Sequence, residues 1–288
     1  MEIARTCPLC SGKKLDKSPA VIMPFITYRI FGWEPLVIDD STGLRSLNNG
    51  TAYQLCNSCF CRQCQHIFTD VRFSDAEMNR LYNGYRGREY TEQRQRFEAG
   101  YGETNDYLSR QLHYMPAIER FITKYAPSPN IVLDWGGDTG VNTPLSSTAA
   151  DVQIYDISSK AESKLANGMT LLSDLEGKDG QFDLITAMHV FEHVSHPIDM
   201  LVEMSAYIKN GGFVYIEVPL EKGVSFNQTN VGFIKSKFHW HEHINFYCSQ
   251  SLETLVRQAG LEMVAIQPFD ASDDFREFKV QQLMARKP

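Results

Sequence analysis

Cysteines and histidines cluster in this chain at spacings suited to metal and proton chemistry. Six of the seven cysteines fall within the first 64 residues, as the C-x2-C pairs Cys7/Cys10, Cys56/Cys59 and Cys61/Cys64. Two such pairs complete a tetrahedral zinc site, closed by its own thiolates and therefore structural. Cys7 and Cys10 must form one half, and either later pair could form the other. Six of the eight histidines lie in two groups, His189/His193/His196 and His239/His241/His243. Histidine titrates near neutral pH and can accept a proton or ligate a metal. The second group alternates, so on a strand its three rings would share one face and could hold a catalytic metal. Cys248 stands alone and reads as an ordinary buried thiol.

A third constellation suits a nucleoside-like cofactor. The run IVLDWGGDTG at residues 131–140 reads as a strand bearing Asp134 that enters a tight turn at Gly136, Gly137 and Gly140. Small residues there let a ligand approach the backbone. About twenty residues on, VQIYD (152–156) ends in Asp156, whose carboxylate can accept both hydroxyls of a ribose. A third strand, TLLSD (170–174), ends in Asp174, where an adenine amino group could be read. The glycines do not follow the G-x-G-x-x-G of nicotinamide sites, and Asp138 would set negative charge where a pyrophosphate lies. A cationic cofactor with a free amino group suits this turn better.

The elements that must position these residues fall into three regions. Residues 1–72 are expected to form a β-rich lobe; both AVIMPFITYRI (20–30) and CQHIFT (64–69) read as strands and turns. Residues 73–104 are expected to be a helical lid, opened by the capping-box sequence Ser74-x-x-Glu77 and dense in tyrosine and arginine. Leu108, Leu112, Met115, Ile118, Phe121 and Ile122 recur at helical spacing and predict one amphipathic helix ending before Pro127. Strands alternate with helices through residues 105–288, including FDLITAM (182–188), a helix over 197–208 capped at Gly211, FVYIEV (213–218) and a helix over 249–259. Such alternation predicts an α/β fold with a doubly wound, mostly parallel sheet.

On the 131–140 run, Asp156 and FDLI at 182–185, the chain resembles the class I S-adenosylmethionine-dependent methyltransferases. Their first motif reads V-L-D-x-G-x-G-x-G; here Asp138 replaces the middle glycine, and Asp tolerates left-handed geometry better than most residues. The resemblance implies a Rossmann-like, seven-stranded methyltransferase sheet. It implies S-adenosylmethionine as cofactor, bound by Asp134, Gly136, Gly137, Asp138, Gly140, Asp156, Asp174 and His189. FEHVSHP (191–197), EHINFYCSQSLETL (242–255), LYNGY (81–85) and EY (89–90) are similar to a subgroup with an N-terminal zinc module that acts on sugars and small molecules. That likeness implies structural Zn2+ on Cys7, Cys10, Cys61 and Cys64. The second pair is preferred because QHIF (65–68) continues as a strand and the family register falls there; Cys56 and Cys59 are the reserve. It also implies His243 as general base, Glu242 in the acceptor pocket, His193 as a second candidate base, and Tyr85 and Tyr90 closing over the acceptor. Sugar C-methyltransferases of the group carry a further C-terminal domain, whereas this chain ends at Pro288, so oxygen and carbon acceptors both stay open.

Composition sets the outer limits. A net charge of −7 argues against a nucleic-acid partner, which a basic surface would meet. The start, MEIARTC, has no apolar segment of signal-peptide type, and no apolar run is long enough to span a membrane, so a cytoplasmic protein is expected. The expected partner is a small, carbohydrate-derived acceptor; the oligomeric state is unspecified. Two other readings compete: a scaffold that binds cofactor without turnover, and a metal-dependent enzyme using His239, His241 and His243.

Overall fold

A computed structural model describes residues 1–44, 46–108, 110–158, 165, 168–272 and 277–288. The first lobe carries β1 (Leu15–Ile22), α1 (Pro24–Phe31), β2 (Leu55–Cys61) and β3 (Ile67–Thr69). Three short helices follow: α2 (Asp75–Tyr82), α3 (Arg88–Gln95) and α4 (Tyr101–Leu108). Then come α5 (Met115–Tyr125), β4 (Ile131–Trp135), β5 (Asp151–Tyr155), β6 (Thr170–Leu172), β7 (Phe182–Met188), α6 (Pro197–Tyr207) and β8 (Ile208–Pro219). The chain closes with β9 (His239–Trp240), β10 (Asn245–Phe246), α7 (Ser249–Gln258), β11 (Glu262–Ser272) and β12 (Glu277–Arg286).

The large sheet has seven strands in the order β6-β5-β4-β7-β8-β12-β11. Its pairs are parallel from β6 to β8, and β12 is antiparallel to both neighbours. Period-two alternation builds its two faces. Val132, Leu184, Tyr215 and Met284 pack with Ile118, Phe121 and Ile122 of α5. Leu133, Ile185, Ile216 and Leu283 pack on the other face with Leu201 and Met204 of α6 and Leu252 and Leu255 of α7. The order reverses between β4 and β7, and in such sheets a crevice opens outside the strand ends at that reversal.

The lobe sheet runs β9-β1-β2-β3-β10. Its edge strands thus come from residues 239–246, which pair with β1 and β3 across the length of the chain. Cys7 and Cys64 lie with their sulfurs 3.5 Å apart, as do Cys10 and Cys61. The four sulfurs lie within 4.8 Å of one another.

Local structure departs from the sequence reading at three points. The 20–30 stretch is a strand only to Ile22; Pro24 at the first helical position starts α1, which buries Phe25, Ile26 and Ile30. The single amphipathic helix through 108–122 is instead α4 and α5, with a break before Met115. Leu108 ends α4, and its side chain lies outside the described residues. The helix over 197–208 stops at Tyr207, because Ile208 already pairs with Phe182; Gly211 then lies in a bulge inside β8 rather than in a helix cap. Among the described residues, no helix is long and apolar enough to cross a membrane.

Two buried charged groups fix the strand ends. Arg72, 1% exposed, donates to the carbonyls of Ser195 (2.9 Å), Val194 (3.2 Å) and Thr69 (3.3 Å) and to Asn245 Oδ1 (2.7 Å). Burial lowers its pKa to about 10, which still leaves it charged. Asp134 accepts hydroxyls from Thr143 (2.5 Å) and Thr186 (2.7 Å), which ties β4 to its following loop and to β7. Burial outweighs those two bonds and raises its pKa to about 6 from 3.8.

Replacing Arg72 by Met strands several of these acceptors, each costing about 1–3 kcal/mol. Urea unfolding should therefore show a loss of at least about 3 kcal/mol, and a loss under about 1 kcal/mol would refute the role. Asp134 gives a pH signature of opposite sense to the usual acid. Its raised folded-state pKa means that the cost of its charge is complete above pH 6 and vanishes as pH falls towards 4, a swing of about 3 kcal/mol. The melting temperature of Asp134→Asn should exceed that of the parent at pH 7.5, and the gap should narrow by about half at pH 5 and close towards pH 4; a gap constant with pH would contradict this.

Candidate functional site

The crevice at the sheet's reversal opens into a cavity of about 810 Å3. One end is the turn after β4. Gly136 adopts φ +78°, and a Cβ there would lie 2.7 Å from Val190 Cγ2. A Cβ on Gly137 would lie 2.5 Å from Asp134 Oδ2. The turn is therefore restricted to glycine at both positions and presents bare backbone to the cavity. Asp138 has φ +54°, the left-handed region that Asp tolerates. Its N–H donates to Asp156 Oδ2 at 2.9 Å, and the N–H of Ser158 donates to Asp156 Oδ1 at 2.7 Å. Asp156 is thus aimed by two backbone bonds, and each oxygen keeps a lone pair for a hydroxyl.

Asp134, Gly136, Gly137, Asp138, Asp156, His189, His193, Glu242 and His243 all line this cavity. Gly140 and Asp174 do not. Gly140 packs beneath the turn, where a Cβ would meet Met169 and Ile154. Asp174 is exposed and bonds Ser173 and the N–H of Glu176, the short β6 having ended at Leu172. Tyr90 is fully buried and behind the wall; its hydroxyl donates to Glu242. Tyr85, by contrast, lines the cavity.

Another part of the wall, beginning beside the turn at His189, is acidic and histidine-rich. His189 sits at φ +53°, with Nδ1 3.4 Å from Glu192 and Nε2 3.4 Å from Glu217. Burial opposes its charge, but the two carboxylates prevail and raise its pKa to about 10, so it is an imidazolium. Glu217 is itself held by Tyr114 (2.8 Å), Tyr215 (2.6 Å) and Gln282 (3.2 Å). His193 Nδ1 lies 3.0 Å from the carbonyl of Glu242 and 2.9 Å from the Tyr82 hydroxyl. A carbonyl only accepts, so Nδ1 carries the proton and Nε2 the lone pair. Burial and the neighbouring His243 lower the His193 pKa to about 4, which leaves it neutral. The two rings meet edge-on, centroids 4.7 Å apart.

His243 Nδ1 bonds the Glu221 carboxylate, which lies just beyond β8. Burial opposes the charge of His243, but Glu221 outweighs it and raises the pKa. Nε2 of the neutral ring is thereby oriented as a proton acceptor, the logic of a carboxylate–histidine pair. Glu242 is already committed elsewhere. Arg94 donates to its Oε2 at 2.7 Å, and the Arg94 guanidinium stacks 4.0 Å from the Tyr101 ring. Burial opposes its ionisation, but His241 and Arg94 hold the carboxyl well below the usual range. It is a fixed anion that ties α3 to the site rather than a base.

The alternating histidines do not form a ligand set. β9 ends at Trp240, so the strand geometry that would align them is absent. His239 is exposed, His241 Nε2 bonds Glu98 at 2.5 Å, and His243 turns to Glu221. His196 precedes α6 as its N-cap. Glu192, Glu221, Arg94 and Glu98 were not singled out from sequence. Glu192 adjoins His193 in FEHV and so had a local signal; the others join the site only through folding.

Residues 107–266, more than half of the chain, match a family model described as a methyltransferase domain. Over 91 residues the chain is 29% identical to the ubiquinone biosynthesis O-methyltransferases of Burkholderia pseudomallei (strain 1710b) and Burkholderia mallei (strain ATCC 23344). That match covers 30% of this chain and 39% of each relative, so it spans well under half of the curated relatives' length. The fold is similar to Burkholderia thailandensis 1,6-didemethyltoxoflavin-N1-methyltransferase, solved with 1,6-didemethyltoxoflavin and S-adenosylhomocysteine. That likeness has a TM-score of 0.51 at 16% identity and covers 88% of this chain and 99% of the other. With its sheet order, its glycine turn and the matched span in agreement, the chain belongs to the methyltransferase domain family.

Proposed function

We propose that the protein transfers a methyl group from S-adenosylmethionine to an oxygen or carbon of a small acceptor, with a carbohydrate-derived molecule as the expected class. One observation carries this reading: a single cavity is lined both by the bare glycine turn with Asp156 and by the paired His193 and His243. Its size is within the range of cofactor and ligand sites. Asp156 would take the ribose hydroxyls, and the backbone of 136–138 would lie against the rest of the cofactor. When bound, S-adenosylmethionine supplies an electrophilic methyl on a sulfonium. The chain's own part is to hold the acceptor in line with that methyl, exclude water and accept the acceptor's proton. His243 Nε2, with Glu221 behind Nδ1, is assigned the proton. The fixed Glu242–Arg94 pair and Tyr85 shape the acceptor side.

We also assign structural Zn2+ to Cys7, Cys10, Cys61 and Cys64. Sulfurs bound at about 2.3 Å around a tetrahedral centre lie roughly 3.8 Å apart. The separations of 3.5 Å here fit that arrangement with little movement. Cys56 and Cys59 sit on β2 outside the cluster, which makes them buried thiols in this reading.

Calorimetry with S-adenosylhomocysteine should show one site, weakened at least tenfold in Asp156→Ala. His243→Ala should retain that binding while losing turnover by a factor of about 100 or more on any acceptor that the parent methylates. Full turnover in His243→Ala would remove the residue from the mechanism, and no cofactor binding by the parent would end the reading. Metal analysis should find one zinc per chain, lost from the Cys61→Ser/Cys64→Ser double variant together with the lobe's protection from proteolysis. Zinc retained in that variant but lost from Cys56→Ser/Cys59→Ser would reverse the assignment.

A further inference from the structure

Glu192 is 1% exposed, and neither of its carboxylate oxygens has a hydrogen-bond partner. Among the described residues it is the one carboxylate in that condition. Its nearest charged neighbour is His189 Nδ1 at 3.4 Å, and His193 Nε2 lies at 4.0 Å. A buried carboxylate without hydrogen bonds is strongly disfavoured, and the imidazolium beside it, His189, is shared with Glu217. The same side chain lines the cavity, as do His193 and His243. One ligand atom from each of the three lies within 4.8 Å of the others.

The two imidazoles are prepared as metal ligands usually are, each with its other ring nitrogen held by an oxygen. His193 Nδ1 is held by the Glu242 carbonyl and the Tyr82 hydroxyl, and His243 Nδ1 by the Glu221 carboxylate. This leaves the Nε2 of each as the donor. Two neutral imidazoles and one carboxylate are the donors of a first-row transition metal rather than of magnesium or calcium, which take oxygen. Three protein ligands also leave coordination positions open towards the cavity.

We propose that Glu192, His193 and His243 form a binding site for a divalent transition-metal ion of the zinc type, separate from the four cysteines. Its consequence for catalysis rests on the methyl-transfer reading; its existence does not. An imidazole nitrogen has one lone pair. With that pair on a cation, His243 has none left for the acceptor's proton. Occupancy of the site and proton acceptance by His243 therefore exclude each other, and methyl transfer falls as the free cation rises.

The test uses the full chain, as isolated, titrated with Zn2+ by calorimetry at pH 7.5, with S-adenosylhomocysteine binding read on the same samples. The parent should take up one equivalent of zinc beyond the cysteine site. Glu192→Gln and His193→Ala should each weaken that equivalent at least tenfold. His239→Ala, which alters an exposed histidine on the cavity wall, should not. Circular dichroism identifies a variant that fails to fold, and the other variant then decides. No further equivalent in the parent, or one untouched by both substitutions, overturns the proposal. Loss of S-adenosylhomocysteine binding in the parent would instead strike the methyl-transfer reading and leave the zinc result standing by itself.

Discussion

The site depends on where Arg72 puts its guanidinium. It joins the loop at 194–195, which follows β7 of the larger sheet, to Asn245 at the start of β10, an edge strand of the lobe sheet. The segments leading into these two contacts carry His193 and His243. Asn245 completes the junction, its amide donating to the carbonyls of Phe191 and Val194, while the N–H of Ile244 donates to the carbonyl of Glu192. Two backbone segments fifty residues apart are thereby held in one register, with their imidazoles in contact. Arg72 is surrounded by carbonyl dipoles, and among the described residues no carboxylate pairs with it. A carboxylate there could move a proton or exchange partners; carbonyls cannot. The arrangement favours rigidity, which is what a group must have to meet a reacting atom within a fraction of an ångström.

The lobe and the lid follow from the same constraint. β9 and β10 flank the 241–244 segment and pair with β1 and β3, so the loop carrying Glu242 and His243 is stretched between two edges of the lobe sheet. From the other side, α3 contributes Arg94 and Tyr90 to Glu242. A loop clamped at both ends and neutralised in the middle has little freedom left. The small lobe, with its cysteine cluster, thus acts as part of the site's frame, and its stability bears on the geometry around His243.

Much of this architecture was legible in the residues, and what was not has a common physical cause. The strands of the large sheet, the left-handed turn at Asp138 and the capping box at Ser74 are local, written in alternation and in residue type over a few positions. The misread stretches are local too, but decided by competition. Residues 20–30 have the β-branched content of a strand, yet Pro24 cannot donate to a ladder and sits readily in a first helical turn, so the chain switches there. The periodicity through 108–122 was real on α5 and was extended one break too far. Glu221, Arg94 and Glu98 act on residues up to about 150 positions away, and Arg72 on residues more than 120 away. No periodicity records such a pairing, because only the tertiary fold supplies the partner.

Three buried carboxylates near the site show how partners alone decide what an acid can do. Glu217 receives two tyrosine hydroxyls and a glutamine amide and is fixed. Glu242 receives an arginine and a tyrosine hydroxyl and is equally fixed. Glu192, which lines the same cavity as Glu242, receives no hydrogen bond. Leaving a buried charged group short of bonds costs at least about 1–3 kcal/mol. Among the buried carboxylates of the described residues Glu192 is the exception, and a carboxylate has the largest desolvation cost to recover. A ligand that binds at Glu192 relieves a cost the folded chain otherwise bears, and the folded state is stabilised by the free energy of that binding. The least satisfied group in the cavity is therefore the one with the most to gain from occupancy.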